Sequence, residues 1–380
     1  MKAFGFPGQG SQRPGMGGGA LFDAFPELTE QASDLLGYSI RSLCLDDPRK
    51  ELDQTRFTQP AIYVVNALSY LRRIQRGDAA PVLFAGHSLG EFNALTAAGC
   101  FDFETGLRLV KKRGELMGQV TGGGMAAVMN LSREKIEAIL REQGIDGVDI
   151  AIHNAPSQNV LAGLQSDLAR LEAPLEAAGG MFYPLKTSGA FHSRYMRPVA
   201  DEFRAFLGTV SIAPLRTPVV ANVSARPYAN ADVVNHLVEQ LTQPVLWTET
   251  VEYLLGIEGL EFEEVGDSDV LTKLVQRVRR GFVAPAASTP LPVIENVPAA
   301  PAAPAALAPS EPAAAAPRSP ADKVAAWNAA YPIGTRVRAS RATEAALATR
   351  TTALVLFGHR AAVYLQGYNG YFDLDELQVV

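Results

Sequence analysis

A stretch rich in proline and alanine constrains the fold of this chain more than any other feature. The 38 residues 283–320 contain 14 Ala and 10 Pro, as in PAAPAALAPSEPAAAAPRSP. Proline at this density interrupts helices and sheet ladders, and the segment offers little apolar surface to bury. We interpret it as a semi-extended linker, spanning roughly 60–110 Å if it is largely polyproline-like. It separates residues 1–282 from residues 321–380.

Composition and charge exclude several classes of protein. The 380 residues carry 34 Lys and Arg against 40 acidic residues, a net charge of −6, so no basic footprint for nucleic acid is present. The two cysteines, Cys44 and Cys100, lie in no CxxC or Cys/His cluster, which excludes a disulfide scaffold and a structural zinc site. The apolar run at the N-terminus is too short for a signal peptide, and no stretch is long enough to span a membrane. We expect a cytoplasmic protein that binds no metal, nucleic acid or membrane.

Residues 1–282 alternate between strand and helix signals, which is typical of an α/β fold. The segments Lys2–Phe6 and Val82–Ala85 are short apolar runs next to glycines, and we predict buried parallel strands there.

A second pattern occupies residues 125–187. It reads strand, helix, strand, strand, helix, strand: MAAVM, Ser132–Gln143, VDIAI, NVLAGL, Asp167–Ala178 and MFYPLK. This β-α-β-β-α-β order is that of a ferredoxin-like unit. We predict a ferredoxin-like subdomain inserted in the larger domain, entered through Gly122-Gly123-Gly124.

Residues 321–380 are rich in β-branched and aromatic residues. We predict strands within Thr335–Ser340, Thr351–Phe357 and Arg360–Leu365, with a hairpin turn at Asn369-Gly370. The segment is interpreted as a small C-terminal β-barrel module with an SH3-like topology. Its YLQGYNGYFDL run is either a docking surface or part of a small core.

The sharpest chemical signal is Gly86-His87-Ser88-Leu89-Gly90, which follows the strand PVLFA and precedes the helix EFNALTAAG. G-x-S-x-G between a strand and a helix is the nucleophile elbow of an α/β-hydrolase-like core. The glycines permit a tight turn that exposes Ser88. The helix N-terminus and the amide of Leu89 then favour a developing oxyanion.

A serine nucleophile needs a general base. The histidines are His87, His153, His192, His236 and His359. His192 in KTSGAFHS is the favoured base and His153 the alternative. Because Leu185–Phe191 contains no acid, the base would be oriented by a backbone carbonyl or an amide side chain.

Several motifs occur together in an order that resembles a known family. They are PGQGSQ at 7–12, GHSLGE at 86–91, KKRGELM at 111–117, NAPSQNVLAG at 154–163, GAFHS at 189–193, QLTQPVLW at 240–247 and EVGDSDVLTKL at 264–274. Over residues 1 to about 280 the chain resembles the malonyl-CoA:acyl carrier protein transacylases, in particular the free-standing enzymes that serve polyketide synthases in trans.

The resemblance implies a Ser88–His192 dyad that passes an acyl group from coenzyme A through a serine ester to a phosphopantetheine thiol. It maps the oxyanion hole to Gln9 alongside Leu89, and the glutamine that positions the histidine to Gln240. The partners implied are malonyl-CoA, the substrate thioester, and a phosphopantetheinylated acyl carrier protein, with no permanently bound cofactor.

Three further substrate-binding residues follow from the resemblance. Arg113 interrupts the apolar row Leu109–Arg113–Leu116; on its own it could snorkel beside the core, but the family's arginine pairs bidentately with the malonyl carboxylate. Phe191 matches the Phe of malonyl-type enzymes, where methylmalonyl-type enzymes carry Ser. Asn154 matches an asparagine near the acyl pocket, with a turn or capping role as the alternative.

The sequence departs from the family at Val265–Thr272, where V-G-P-G-x-V-L-T is usual and VGDSDVLT stands here. Two added carboxylates would change the shape and charge of this loop. Two other functions stay open: a hydrolase that clears acyl chains from carrier proteins, and a scaffold that docks to a synthase through 321–380. Arg113 favours transfer, because a hydrolase of neutral acyl chains needs no carboxylate clamp.

Overall fold

The computed structural model describes residues 1–284, 288–292, 320–339, 346–356, 360–366 and 371–380. The chain divides into two compact units, Met1–Ala32 with Ser39–Val297 and Ser33–Tyr38 with Pro298–Val380. No helix among the described residues is long and apolar enough to cross a membrane.

The elements up to residue 284 alternate between helices and strands. The strands are β1 (Lys2–Phe6), β2 (Leu83–Gly86), β3 (Gly123–Met129), β4 (Val148–Ala155), β5 (Gln158–Leu164), β6 (Met181–Leu185), β7 (Val219–Val220) and β8 (Glu261–Glu264). The helices are α1 (Gly19–Ala24), α2 (Pro26–Leu36), α3 (Ile40–Leu45), α4 (Thr55–Gln75), α5 (Gly90–Ala97), α6 (Phe103–Gly118), α7 (Arg133–Glu142), α8 (Gln165–Ala177), α9 (Arg197–Leu207), α10 (Val233–Glu239), α11 (Trp247–Leu255) and α12 (Val270–Gly281).

A parallel sheet in the order β7-β2-β1-β8 positions the functional site. Strands β1, β2 and β7 are almost entirely buried, as their continuous apolar runs predict, whereas the edge strand β8 is partly exposed. One face packs against α11 and α12 in a cluster that includes Ala3, Ala85 and Trp247. On the other face, Phe4 and Phe84 make edge contacts with Tyr70 of α4. The predicted strand at Lys2–Phe6 is confirmed, and the one at Val82–Ala85 is shifted by one residue.

The second sheet is antiparallel, with the order β4-β5-β3-β6. The predicted succession of strands and helices is confirmed, with α7 and α8 as its two helices. Apolar side chains of the sheet, such as Val128 and Leu161, form a core with Ile136 and Leu171 of these helices. Strand β3 begins at Gly123, within the predicted entry Gly122–Gly124 and two residues before the predicted strand MAAVM, because Gly123 and Gly124 already pair with Leu164 and Gly163 of β5.

The described residues of the second unit include α13 (Pro320–Ala330) and the strands β9 (Arg336–Ala339), β10 (Leu347–Ala348), β11 (Leu354–Leu356), β12 (Arg360–Tyr364), β13 (Tyr371–Asp373) and β14 (Leu377–Val379). They form two antiparallel sheets, β10-β9-β14 and β11-β12-β13, around a shared core that includes Val337, Val363 and Phe372. The sequence did not predict α13, whose Trp327 packs against this core. The predicted turn at Asn369-Gly370 lies outside the described residues.

The first residues after α12 keep contact with the parallel-sheet unit. The amide of Thr289 donates to the carbonyl of Gly256 at 2.8 Å, and Leu291 packs against the core formed with α11 and α12. Residues 288–292 thus still contact the unit whose last helix, α12, ends at Gly281.

Candidate active site

The nucleophile elbow follows from the space around its two glycines. A Cβ on Gly86 would lie 2.1 Å from the backbone of Gly90, and a Cβ on Gly90 would lie 2.0 Å from the carbonyl oxygen of Phe6. No side chain fits at either position, so strand β2 can turn directly into α5. Ser88, between them, has φ +49°, a left-handed conformation that is strained for a residue with a side chain.

His192 lies against Ser88. Its Nε2 is 2.8 Å from Ser88 Oγ, and its Nδ1 is 2.6 Å from the backbone carbonyl oxygen of Gln240. Burial, followed by the charge of Arg113, lowers the pKa of His192 to about 3. The imidazole is therefore neutral, so Nδ1–H donates to the carbonyl and Nε2 accepts the Ser88 proton. This carbonyl takes the place of the acid that the sequence lacks.

His153, the alternative base, lies in a different environment. Its Nδ1 is 3.0 Å from Glu249 Oε1, with Arg133 beside it, and these residues line a cavity separate from that of Ser88. The geometry therefore favours His192.

Arg113 projects from α6 into the same site and is 1% exposed. Its Nη1 donates to Gln59 Oε1 at 2.7 Å, and its Nη2 lies 2.8 Å from Gln240 Oε1 and 3.2 Å from Ser88 Oγ. Its Nε is buried and has no partner in the part of the chain described here. Burial lowers the pKa of Arg113 to about 10, while the charge of Glu91 raises it, so the guanidinium stays protonated at neutral pH.

A cavity of about 300 Å³ opens onto these groups. It is lined by Ser88, His192, Arg113, Phe191, Gln9, His87, Met117, Met125, Ile152 and Leu185, among others. Neither Leu89 nor Gln9 uses its backbone amide in a hydrogen bond among the described residues. Both amides can thus serve an oxyanion, while the Gln9 side chain donates to Thr55 Oγ1 at 3.5 Å.

The comparisons with known proteins agree with this geometry. A family model described as an acyl transferase domain matches residues 3–302. The chain belongs to the acyl transferase domain family.

Curated relatives narrow the family further. The acyltransferase is 49% identical over 282 residues to the polyketide biosynthesis malonyl CoA-acyl carrier protein transacylase PksC of Bacillus subtilis, covering 74% of this chain and 98% of PksC. It is 48% identical to the polyketide biosynthesis protein PksE of the same organism, covering 73% of this chain but only 36% of PksE.

Solved structures share the mixed α/β fold. The malonyl CoA-acyl carrier protein transacylase of Burkholderia pseudomallei is 52% identical, with a TM-score of 0.73, covering 75% of this chain and 99% of that one. A malonyl-transacylase in complex with a type II PKS acyl-carrier protein is 36% identical, with a TM-score of 0.70, covering 76% of this chain and 96% of that one.

His87 and Asn154 of the acyltransferase contact each other. His87 Nε2 is 2.8 Å from Asn154 Oδ1, and the His87 ring meets Trp247 edge to face at 5.3 Å. His87 also lines the cavity, whereas Asn154 is not among its lining residues. Asn154 therefore contacts a residue that lines the cavity, His87, without lining the cavity itself.

Sequence reasoning assigned no role to Asn222 or Glu91, although both support the elbow. The Ser88 amide donates to Asn222 Oδ1 at 2.7 Å, and Asn222 Nδ2 donates to the Gly86 carbonyl at 2.6 Å. Glu91 stands in the first turn of α5, and burial raises its pKa to about 7. The position of Glu91 in GHSLGE, one helical turn after the nucleophile, could have indicated its role from the sequence. No sequence motif indicated a role for Asn222.

The two carboxylates of the unusual loop after β8 each form an ion pair. Asp267 Oδ2 accepts hydrogen bonds from Arg13 Nη2 at 2.7 Å and from the Gly17 amide at 3.1 Å. Asp269 pairs with Lys273 at 2.8 Å. Both added carboxylates thus have a cationic neighbour, and the first ties this loop to the glycine-rich segment that carries Gln9.

Proposed function

We propose that this acyltransferase moves a malonyl group from malonyl-CoA to Ser88 and then to the phosphopantetheine thiol of an acyl carrier protein, in trans, for polyketide or fatty acid synthesis. The observation that carries the proposal is a protonated, buried Arg113 with Nη2 3.2 Å from the Ser88 hydroxyl. A cation so close to the nucleophile suits an acyl group that bears its own carboxylate. The names of PksC and of the similar Burkholderia pseudomallei structure, both malonyl CoA-acyl carrier protein transacylases, support this activity.

In the first half-reaction, Ser88 Oγ attacks the thioester carbonyl and passes its proton to His192 Nε2. The amides of Leu89 and Gln9 stabilise the oxyanion, since Leu89 directly follows Ser88, Gln9 lines the same cavity as Ser88, and neither amide has another acceptor among the described residues. When the intermediate collapses, the C–S bond breaks and His192 returns the proton to the departing thiolate of coenzyme A. Because burial disfavours the imidazolium, His192 releases this proton readily.

The second half-reaction reverses these roles. The phosphopantetheine thiol gives its proton to His192, its sulfur attacks the Ser88 ester, and the proton returns to Ser88 Oγ as the ester bond breaks. No metal or redox cofactor enters this scheme, and coenzyme A is substrate only.

Arg113 selects the acyl group. Gln59 and Gln240 hold the guanidinium through neutral amide oxygens, so its charge is not neutralised by direct contact. Nε–H, which has no partner among the described residues, shares an edge of the guanidinium with Nη2. An acyl carboxylate that takes the place of the Ser88 oxygen as acceptor for Nη2 accepts bidentately from this edge. A hydrolase of neutral acyl chains would gain nothing from this cation.

Phe191 limits the size of that acyl group. Phe191 immediately precedes His192 in the sequence, is 4% exposed and lines the cavity. A phenyl group there occupies the volume that an α-methyl branch needs, so malonyl is preferred over methylmalonyl. One methyl group in an apolar pocket is worth about 1–3 kcal/mol, which makes this preference partial.

The domains follow the sequence boundaries in this proposal. Residues 1–282 form an α/β-hydrolase-like acyltransferase domain, and residues 125–187 form a ferredoxin-like subdomain within it, supported by the sheet order β4-β5-β3-β6. Residues 283–320 link it to a β-barrel module at 321–380, supported by two three-stranded sheets around one core. This module docks the enzyme to a synthase.

Intact-mass spectrometry tests the covalent step. After brief exposure to malonyl-CoA, the wild type should gain the mass of one malonyl group and Ser88→Ala should gain none. Ser11→Ala is the matched control, since the hydroxyl of this serine donates to the Gly8 carbonyl and contacts no group of the dyad among the described residues, and it should load as the wild type does. Undiminished loading of Ser88→Ala would end the proposal.

A further inference from the structure

Glu91 is a buried carboxylate that the transfer scheme does not use. It lies on α5, three residues after Ser88, and is 1% exposed. A buried charge is costly unless it is fully hydrogen-bonded or paired. In the part of the chain that the structure describes, no Lys or Arg forms an ion pair with Glu91. Its stabilisation comes from hydrogen bonds.

Within the described part of the chain, each group that forms a hydrogen bond with the Glu91 carboxylate is a donor. Oε1 accepts from the Tyr228 hydroxyl at 2.7 Å and from the Asn222 amide at 2.8 Å, and Oε2 accepts from Gln240 Nε2. An amide side chain at position 91 would place its NH₂ group against either the Asn222 N–H or the Gln240 NH₂. A carboxylate is thus the group that satisfies all three.

The contact with Gln240 orients that side chain. Nε2 donates to Glu91 and, at 2.9 Å, to the Ser88 carbonyl, which leaves Oε1 to accept from Arg113 Nη2 at 2.8 Å. A reversed amide would turn NH₂ toward the guanidinium and lose that bond. The backbone carbonyl of the same Gln240 holds His192 Nδ1.

Glu91 therefore interacts with Arg113 through the neutral side-chain amide of Gln240. A carboxylate in direct contact with Arg113 would compete with the carboxylate of an incoming acyl group. Placed behind Gln240, the Glu91 charge still favours the protonated guanidinium without occupying its donors.

We propose that Glu91 is a positioning residue for acyl selection: by fixing the Gln240 amide, it holds Arg113 in place for the acyl carboxylate. This inference rests on the proposed malonyl transfer for the identity of the acyl group.

The test compares Glu91→Gln with the wild type in the full chain. The quantity measured is kcat/KM for self-acylation by malonyl-CoA and by acetyl-CoA. We expect the malonyl-to-acetyl ratio to fall by about tenfold or more, because the lost interaction serves only the acyl carboxylate. Glu264→Gln is the matched control: this glutamate is also buried, but it binds Thr272 at the start of α12 and should leave the ratio unchanged.

A parallel fall of both specificity constants, with the ratio unchanged, would overturn the inference by showing a merely structural role. If Glu91→Gln does not fold, Glu91→Asp takes its place, since it keeps an acceptor but shortens the reach to Gln240; an unchanged ratio there would overturn it equally. Failure of the proposed function can be distinguished from failure of this inference, because the wild type itself would then show no preference for malonyl-CoA.

Discussion

At the scale of single residues, the site combines a neutral base, His192, with a cation, Arg113, that has no acidic partner in direct contact among the described residues. His192 is neutral because it is buried beside Arg113, and it is oriented by a backbone carbonyl rather than by an acid. Arg113 stays protonated at neutral pH, and its charge is not neutralised by direct contact, because its partners are the amide oxygens of Gln59 and Gln240 and the Ser88 hydroxyl. One residue thus serves as the base while its neighbour remains a cation.

Replacing Arg113 should remove acyl selection and leave the dyad in place. In Arg113→Ala, the malonyl carboxylate would lie unpaired in a buried site, at a cost on the order of 2–5 kcal/mol in malonyl-over-acetyl discrimination. Specificity constants for both thioesters measure this. Arg108→Ala is the control, since Arg108 lies on the same helix and pairs at the surface with Glu104. Retained discrimination in Arg113→Ala would contradict the role assigned to it.

The sequence predicted the residues whose role shows in a local motif. Ser88 was found from the elbow, and His192 and Arg113 from segments that resemble a family. Asn222 is 134 residues from the serine amide that it binds, and no local pattern encodes such a contact. Glu91 was visible in its motif, but its partners come from distant segments that only the fold brings together.

At the scale of elements, the elbow depends on how closely β1, β2 and α5 approach each other. Gly90→Ala should destabilise the fold by about 3 kcal/mol, because its Cβ would lie 2.0 Å from the backbone oxygen of Phe6, which cannot move without disturbing β1. Chemical denaturation measures the free energy of unfolding. Gly281→Ala is the control, since its Cβ would meet nothing within 4 Å. Equal stability of both variants would contradict this packing.

The ends of elements with strong apolar patterns were predicted to within a few residues. The strands and helices of the β-α-β-β-α-β pattern occur in the predicted order. Helix α13 was missed because its Ala-rich sequence continues the composition of the linker. Its start at Pro320 with Asp322 in the first turn is a common beginning of a helix, and was the signal available. The strand β3 began earlier than expected because cross-strand pairing extends into the glycines.

At the scale of the whole molecule, the chemistry belongs to one unit. Every residue of the dyad, the arginine clamp and the cavity lies before residue 245. Truncation after Pro292 should therefore leave acyl-serine formation unchanged, because it keeps the contacts of Thr289 and Leu291. Truncation after Gly281 removes those contacts and should lower the melting temperature. Loss of acyl-serine in the longer variant would contradict the independence of this unit.

The central claim is that the enzyme selects a diacid acyl group and delivers it to a carrier protein. It is tested most directly by transfer to a phosphopantetheinylated carrier protein, with kcat/KM measured for malonyl-CoA and acetyl-CoA as donors. We predict a malonyl preference of about thirtyfold or more, which corresponds to about 2 kcal/mol from the Arg113 contact. Equal specificity constants for the two donors, or release of free acid in place of transfer, would contradict it.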